Sequence, residues 1–208
     1  LHPQGNMSCS NCHLQDQGFS ISDNQGVLPH INLAWQTSFL WNGRIEGTLE
    51  DAMLFEVDEF FKTDLAGIKA MPKYREKYKQ VFGNEQITSK QTAYALAQFI
   101  ASLISSQSKY DKVVQKKDVF SPSEQRGYEM FFSEKADCFH CHVPPLFTDY
   151  RLHNIGIDLV FEGRNQGRYA VTNNEIDLGR MKTPTLRNIQ VTGPYMHDGR
   201  FKTLDEVI

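Results

Sequence analysis

Apolar positions recur along this chain mainly at the spacing of helices. Thr88-Ser89-Lys90-Gln91 precedes Ala93, Leu96, Ala97, Ile100 and Ile104, which fall on one helical face. Thr48 and Asp51 open a second such run, with Leu49, Ala52, Met53, Val57, Phe60 and Phe61 on one side. Ser121-Pro122-Ser123-Glu124 reads as a capping box with proline at the first helical position, so a helix is predicted to lead towards residue 138. Thr203-Leu204-Asp205-Glu206 has the same form close to Ile208, which predicts that the second unit is truncated at its C-terminal end. Between His142 and Pro184 the periodicity lapses, and Gly156, Gly163, Gly167 and Gly179 mark a long irregular stretch.

The pattern also repeats. Asn32 is followed nine residues later by Trp41-Asn42-Gly43-Arg44 and then by Thr48-Leu49-Glu50-Asp51; Asn188 is followed nine residues later by His197-Asp198-Gly199-Arg200 and then by Thr203-Leu204-Asp205-Glu206. Trp41 and His197 thus hold equivalent places. The polar segment from Ser105 to Asp118 interrupts the apolar pattern, which suggests two units, residues 1–112 and 113–208.

Composition narrows the possibilities. The chain has 208 residues, of which 40% are hydrophobic, enough for packed cores. The formal net charge is −3 and the basic residues are scattered, which argues against nucleic-acid binding. The most apolar helix-like stretch, Tyr94 to Ile104, is too short to span a bilayer and contains Gln98 and Ser102, so no transmembrane segment is expected in this chain.

The four cysteines carry the chemistry. All of them fall in Cys9-Ser10-Asn11-Cys12-His13 and Cys138-Phe139-His140-Cys141-His142, two copies of C-x-x-C-H. Two thiols at this spacing reach the two vinyl groups of one porphyrin, and the next histidine can bind its iron, which is the attachment pattern of c-type haem. A four-thiolate zinc site would need neither trailing histidine, and Cys12 lies far from Cys138 for a zinc ribbon. A dithiol redox motif would need a βαβ setting that neither copy has. Two covalently bound c-type haems are therefore expected. Such attachment takes place outside the cytoplasmic membrane, so a periplasmic location is expected. The start at Leu1 removes any weight from the lack of a leader.

These residues resemble the bacterial di-haem cytochrome c peroxidase/MauG family over nearly the whole chain. The resemblance rests on Met7-Ser8-Cys9 through His13, Phe39-Leu40-Trp41-Asn42-Gly43-Arg44, Cys138 through His142, Lys182-Thr183-Pro184-Thr185-Leu186-Arg187-Asn188 and Pro194-Tyr195-Met196-His197-Asp198-Gly199. It implies a mainly α fold of two cytochrome c-like haem domains related by internal duplication, with long irregular loops. The N-terminal haem would be peroxidatic and the C-terminal one would transfer electrons. Cys9, Cys12, Cys138 and Cys141 would be the thioether anchors and His13 and His142 the proximal iron ligands. Trp41 would relay electrons between the haems.

The implied activity is reduction of hydrogen peroxide to water with electrons from a small periplasmic donor protein, a cytochrome c or a cupredoxin. Two alternatives accompany it: a MauG-type enzyme that oxidises residues of a partner protein, and a di-haem electron carrier without peroxide chemistry. A homodimer is one oligomeric option. The sixth ligand of the second haem, methionine in the peroxidases and tyrosine in MauG, would fall just beyond Ile208, with Met181 and Met196 read as packing residues.

Three features depart from the family pattern. Only 18 residues separate His13 from Asn32, and His30 does not align with the histidine that closes the first haem in many peroxidases, so it reads as a loop or packing residue. The backbone carbonyls of Thr192 and Pro194 match two donors of the family's calcium ion, but the R-N-x-P segment that supplies its asparagine is incomplete. Strict alignment puts Lys62 where the acid–base glutamate belongs. Glu59 is the assigned residue, with Glu56 and Asp58 close behind, and His2, His140 and His153 have no matched role.

Overall fold

The computed structural model describes residues 2, 3, 7–21 and 26–208. In chain order it forms β1 (Ser38–Phe39), β2 (Ile45–Glu46), α1 (Leu49–Phe55), α2 (Leu65–Ala70), α3 (Pro72–Phe82), α4 (Ser89–Ala101), α5 (Lys109–Val114), α6 (Pro122–Phe131), β3 (Leu152–His153), α7 (Tyr169–Thr172), β4 (Met181–Lys182) and α8 (Leu204–Val207). The fold is mainly helical, and among the described residues its strands are two short antiparallel pairs, β1 with β2 and β3 with β4. Among the described residues no helix is long and apolar enough to cross a membrane.

The polar ends of the helices form as their sequences dictate. Thr48, Ser121 and Thr203 each accept from the backbone N–H three residues on, and Asp51, Glu124 and Glu206 return the bond to the cap N–H. Thr88 caps α4 through Gln91 N–H. A cap of the same kind, Ser108 with Asp111, opens α5 inside the polar 105–118 segment. The division at 112/113 falls within this helix.

The core of the first half is the contact of α1 with α4. Leu49, Ala52 and Met53 from α1 pack with Ala93, Ala97 and Ile100 from α4, and Leu33 and Phe39 close the cluster. Small Ala93 and Ala97, each 1% exposed, let the two helices approach closely. Two predicted members of these faces fall elsewhere. Phe60 is 71% exposed, because after Phe55 the helix widens into a π turn over Glu56–Phe60, closed by Phe61 N–H on Glu56 O at 2.9 Å. The extra residue in that turn rotates everything after it off the α-helical face. Ile104 is exposed because α4 has already ended at Ala101.

The halves meet around the Trp41-Asn42-Gly43-Arg44 turn. Lys182 N–H donates to Trp41 O at 2.7 Å, and Arg168 Nη1 donates to Gly43 O at 2.5 Å while its Nη2 pairs with Glu46. Gly26 sits at φ +59°, and any Cβ there would run into the backbone of Met196 and His197. Glycine is required both for that backbone angle and for that close approach.

Candidate haem sites and the junction between them

Both C-x-x-C-H segments fold in the same local way. Cys9–Asn11 and Cys138–His140 are single 3₁₀ turns, and each histidine N–H returns to the first cysteine carbonyl, His13 to Cys9 and His142 to Cys138, at 3.0 Å. All four cysteines are free thiols, Cys9 exposed and the other three half-buried.

The histidines are prepared as iron ligands by their loops. His13 Nδ1 lies 2.8 Å from Phe19 O, and His142 Nδ1 lies 3.0 Å from Phe147 O. A carbonyl only accepts, so each Nδ1 carries a proton, and His142 also meets the backbone of Pro184. Burial lowers the pKa of both imidazoles and holds them neutral. The carbonyls are aimed by unusual backbone: Phe19 has φ +58° and Phe147 φ +54°. A left-handed non-glycine residue costs about 1–2 kcal/mol, so this geometry is held by its surroundings. Four unpaired thiols and two imidazoles held by their loops through Nδ1 fit two c-type haems.

Around the first motif, His30 is half-buried and stacks on His13 with ring centroids 3.5 Å apart and planes at 21°. Desolvation, reinforced by His13, lowers its pKa to about 3, so it stays neutral. Its packing role agrees with the sequence reading. Residues 22–25 of this loop lie outside the described residues.

A cavity of about 390 Å³ opens beside Cys9, with Glu56, Val57, Ile68 and Tyr78 among its walls. Glu56 is half-buried there, and desolvation raises its carboxyl to about 7. Glu59, Asp58 and Lys62 are exposed, and none of them lines this cavity. Glu56 follows Leu49, Ala52 and Met53 at helical spacing and so stays on the buried face of α1, while the π turn that begins there carries Glu59 off that face.

Trp41 is half-buried at the junction. Its indole Nε1 donates to Gly26 O, and its ring stands edge-on to His197 with centroids 6.4 Å apart. His197 is 4% exposed and bonds Asn165 Oδ1 through Nε2 at 2.9 Å. Lys182, also 4% exposed, donates to Gln36 Oε1 at 2.7 Å and to Ser38 O at 3.1 Å. Neither partner is charged, and burial lowers its pKa to about 8.

The remaining candidates are placed as follows. Thr192 is buried and Pro194 half-buried, and side-chain clusters that could hold a metal ion lie at Cys141–Asp149–His153 and Glu134–Asp137–His140. Met181 pairs with His153 across β4 and β3, and Met196 sits at φ +70° before His197. His140 contacts Asp137, and His153 bonds Asp149 at 2.7 Å. Sequence reasoning missed the Phe19 and Phe147 carbonyls, Lys182 and the Asp111–Arg187 ion pair. A backbone carbonyl leaves no mark in a sequence, and the ion pair joins residues far apart in the chain.

Paired attachment motifs with neutral, hydrogen-bonded histidines on a mainly helical frame define a di-haem c-type protein. A family model for di-haem cytochrome c peroxidase matches residues 1–119. The cytochrome c551 peroxidase of Nitrosomonas europaea is 31% identical over 231 residues, covering 100% of this chain and 67% of that protein. The methylamine utilization protein MauG of Methylophilus methylotrophus is 30% identical over 228 residues, with the same coverage. A solved MauG-like protein associated with microbial copper homeostasis superposes with a TM-score of 0.90 at 28% identity, over 99% of this chain and 70% of that one. The chain belongs to the di-haem cytochrome c peroxidase/MauG family of oxidoreductases, and it spans about two thirds of the length of these relatives.

Proposed function

We propose that this chain is the di-haem portion of a periplasmic peroxidase that reduces hydrogen peroxide to water. Electrons from a small donor protein, a cytochrome c or a cupredoxin, enter through the C-terminal haem. The observation that carries this reading is Glu56, a carboxyl raised to about 7 on the wall of a cavity that also reaches Cys9. A pure electron carrier has no use for an acid–base group beside one of its attachment motifs.

In this reading the chain holds one haem per half, 1–112 and 113–208. Cys9 and Cys12, and Cys138 and Cys141, would be the anchors, and His13 and His142 would hold the irons. The matching bonds from the two histidines to Phe19 O and Phe147 O support a duplicated origin for the halves. The irons, when bound, supply electron storage and the redox chemistry of O–O cleavage.

The chain supplies the proton handling and the positioning. Glu56 takes a proton from the attacking oxygen of peroxide and delivers it to the leaving oxygen, for which a pKa near the working pH is suited. Two electrons and two protons convert one peroxide to two waters. Trp41 would relay electrons between the halves, a role supported by its bond to Gly26 and its contact with His197 at their junction. Glu56 replaces Glu59 as the proposed acid–base residue because Glu59 is exposed and away from the cavity. For calcium, the carbonyls of Thr192 and Pro194 would supply two of the roughly six to eight oxygens such an ion takes. No step depends on it.

The likeness to MauG and to the MauG-like structure supports a second reading, oxidation of residues in a partner protein by the same haem pair. Spectra of the haem-loaded protein, oxidised and half-reduced, followed by peroxide, test both. A high-spin haem consumed rapidly, with turnover only when a donor is present, supports the peroxidase. A long-lived oxidised species that decays on adding a protein substrate supports the MauG-type reaction. Two low-spin haems that ignore peroxide at every redox level overturn both.

A further inference from the structure

We propose that the Asp111–Arg187 ion pair positions His142 and thereby sets the reduction potential of the second haem independently of the first. This rests on His142 being an axial ligand, as proposed above.

The two histidine loops share a backbone frame. Phe19 O accepts from His13 Nδ1 and also from His30 N–H at 3.3 Å; Phe147 O accepts from His142 Nδ1 and also from Leu186 N–H at 3.2 Å. The next residue in each loop is tied the same way, Ser20 Oγ to Val27 O at 2.6 Å and Thr148 Oγ1 to Thr183 O at 2.7 Å. The frames diverge one position further on. After His30 comes Ile31, a buried apolar side chain, and after Leu186 comes Arg187, equally buried at 6% exposure but charged.

Arg187 uses its whole fork. Nη1 and Nη2 donate to the two oxygens of Asp111 at 2.8 and 2.7 Å, and Nε donates to Pro145 O at 2.8 Å. Its guanidinium lies 5.7 Å from the centre of the Phe147 ring, and Tyr110 meets that ring edge-on at 4.8 Å. Asp111 is itself fixed, because the same carboxylate closes the cap of α5 on Ser108 N–H at 2.8 Å.

A short helix between the halves therefore holds the guanidinium. The guanidinium holds the loop backbone at Pro145 and the ring of Phe147, and the carbonyl of Phe147 orients His142. A firm N–H···O=C bond makes the imidazole a more electron-rich ligand and favours the oxidised metal, so loosening it raises the potential. Ile31 gives the first haem no corresponding brace.

The test uses the haem-loaded protein with Arg187→Lys and Asp111→Asn. The lysine keeps the charge but cannot make the bidentate fork or reach Pro145 through Nε. The asparagine keeps the shape and removes one charge. Midpoint potentials of both haems are read by spectroelectrochemistry, and the geometry of the histidine by the g-values of the low-spin haem. The expected result is an upward shift of the second haem alone in both variants, with altered g-values for that haem.

Unchanged potentials in Arg187→Lys with both haems bound overturn the proposal, as does an equal shift of both haems. A shift in Asp111→Asn only, with g-values unaltered, also overturns it, because the effect would then be one of charge. Should neither variant yield haem-loaded protein, Phe147→Leu, which keeps the carbonyl and removes the ring under the guanidinium, carries the same prediction. His142→Gly is the separate control: a second haem whose spectrum survives that change defeats the ligand assignment itself, whatever the brace does.

Discussion

The imidazole of His197 stands edge-on to the indole of Trp41, with ring centroids 6.4 Å apart and planes at 72°. The two residues occupy the same place in the N-G-R and D-G-R turns, so equivalent positions of the two halves meet at the junction. Replacing Trp41 with Phe keeps an apolar ring but removes the donor to Gly26 O and the larger π system. Electron exchange between the haems is expected to slow, with both haems still attached. Rapid mixing of half-reduced protein with peroxide measures this, and an unchanged exchange rate would remove Trp41 from the relay.

Glu56→Gln is expected to lower the rate of reaction with peroxide by about 10²–10⁴-fold, the usual worth of a general acid–base group. It should also abolish a pH dependence centred near 7, where desolvation places the Glu56 carboxyl. The sign for stability follows from the same shift. The folded carboxyl binds its proton more tightly than the unfolded one, so this group's stabilising contribution is full at acid pH and is lost as pH rises towards about 7. Denaturation of wild type and variant across that range should show the loss in wild type only.

Lys182 titrates in the opposite sense. Burial lowers its pKa to about 8, so the unfolded state holds the proton more tightly and the folded state gains stability as pH rises from about 8 towards the ordinary lysine value. Lys182→Met should flatten that rise. Urea midpoints for the two proteins at neutral and alkaline pH make the comparison, and parallel curves would mean that the ammonium is better solvated than its burial implies.

The two attachment motifs should behave independently. Removing Cys9 and Cys12 together, or Cys138 and Cys141 together, is expected to leave one haem per chain where the wild type carries two. Intact mass and a haem stain after denaturation give the count.

Gly26→Ala is expected to loosen the junction. It places a Cβ against the Met196–His197 backbone at a φ of +59°, and the left-handed backbone alone costs about 1–2 kcal/mol in a non-glycine residue. Thermal unfolding should reveal at least that loss.

Much of this was legible in the sequence because it depends on neighbours. The caps at Thr48, Thr88, Ser121 and Thr203 form between residues three apart, and a C-x-x-C-H turn closes on itself, so each could be read without knowing the fold. The α1 and α4 faces were read correctly up to the points where their helices change, at the π turn after Phe55 and at Ala101. What the sequence by itself determined is therefore the chemistry of attachment and the local helices.

Only the tertiary structure decided which of three neighbouring acidic residues is desolvated. Glu56 keeps to the buried face one turn after Ala52 and Met53, and the extra residue in the π turn takes Glu59, which an unbroken helix would place beside it, away from the cavity. Only the tertiary structure brought Asp111 to Arg187 and Lys182 to Gln36, since burial and pairing across the chain depend on how separate segments pack. The histidines could be named from their motifs, but the bond that orients each ring through Nδ1 was set by carbonyls of the folded loops, and backbone geometry has no letter in the sequence.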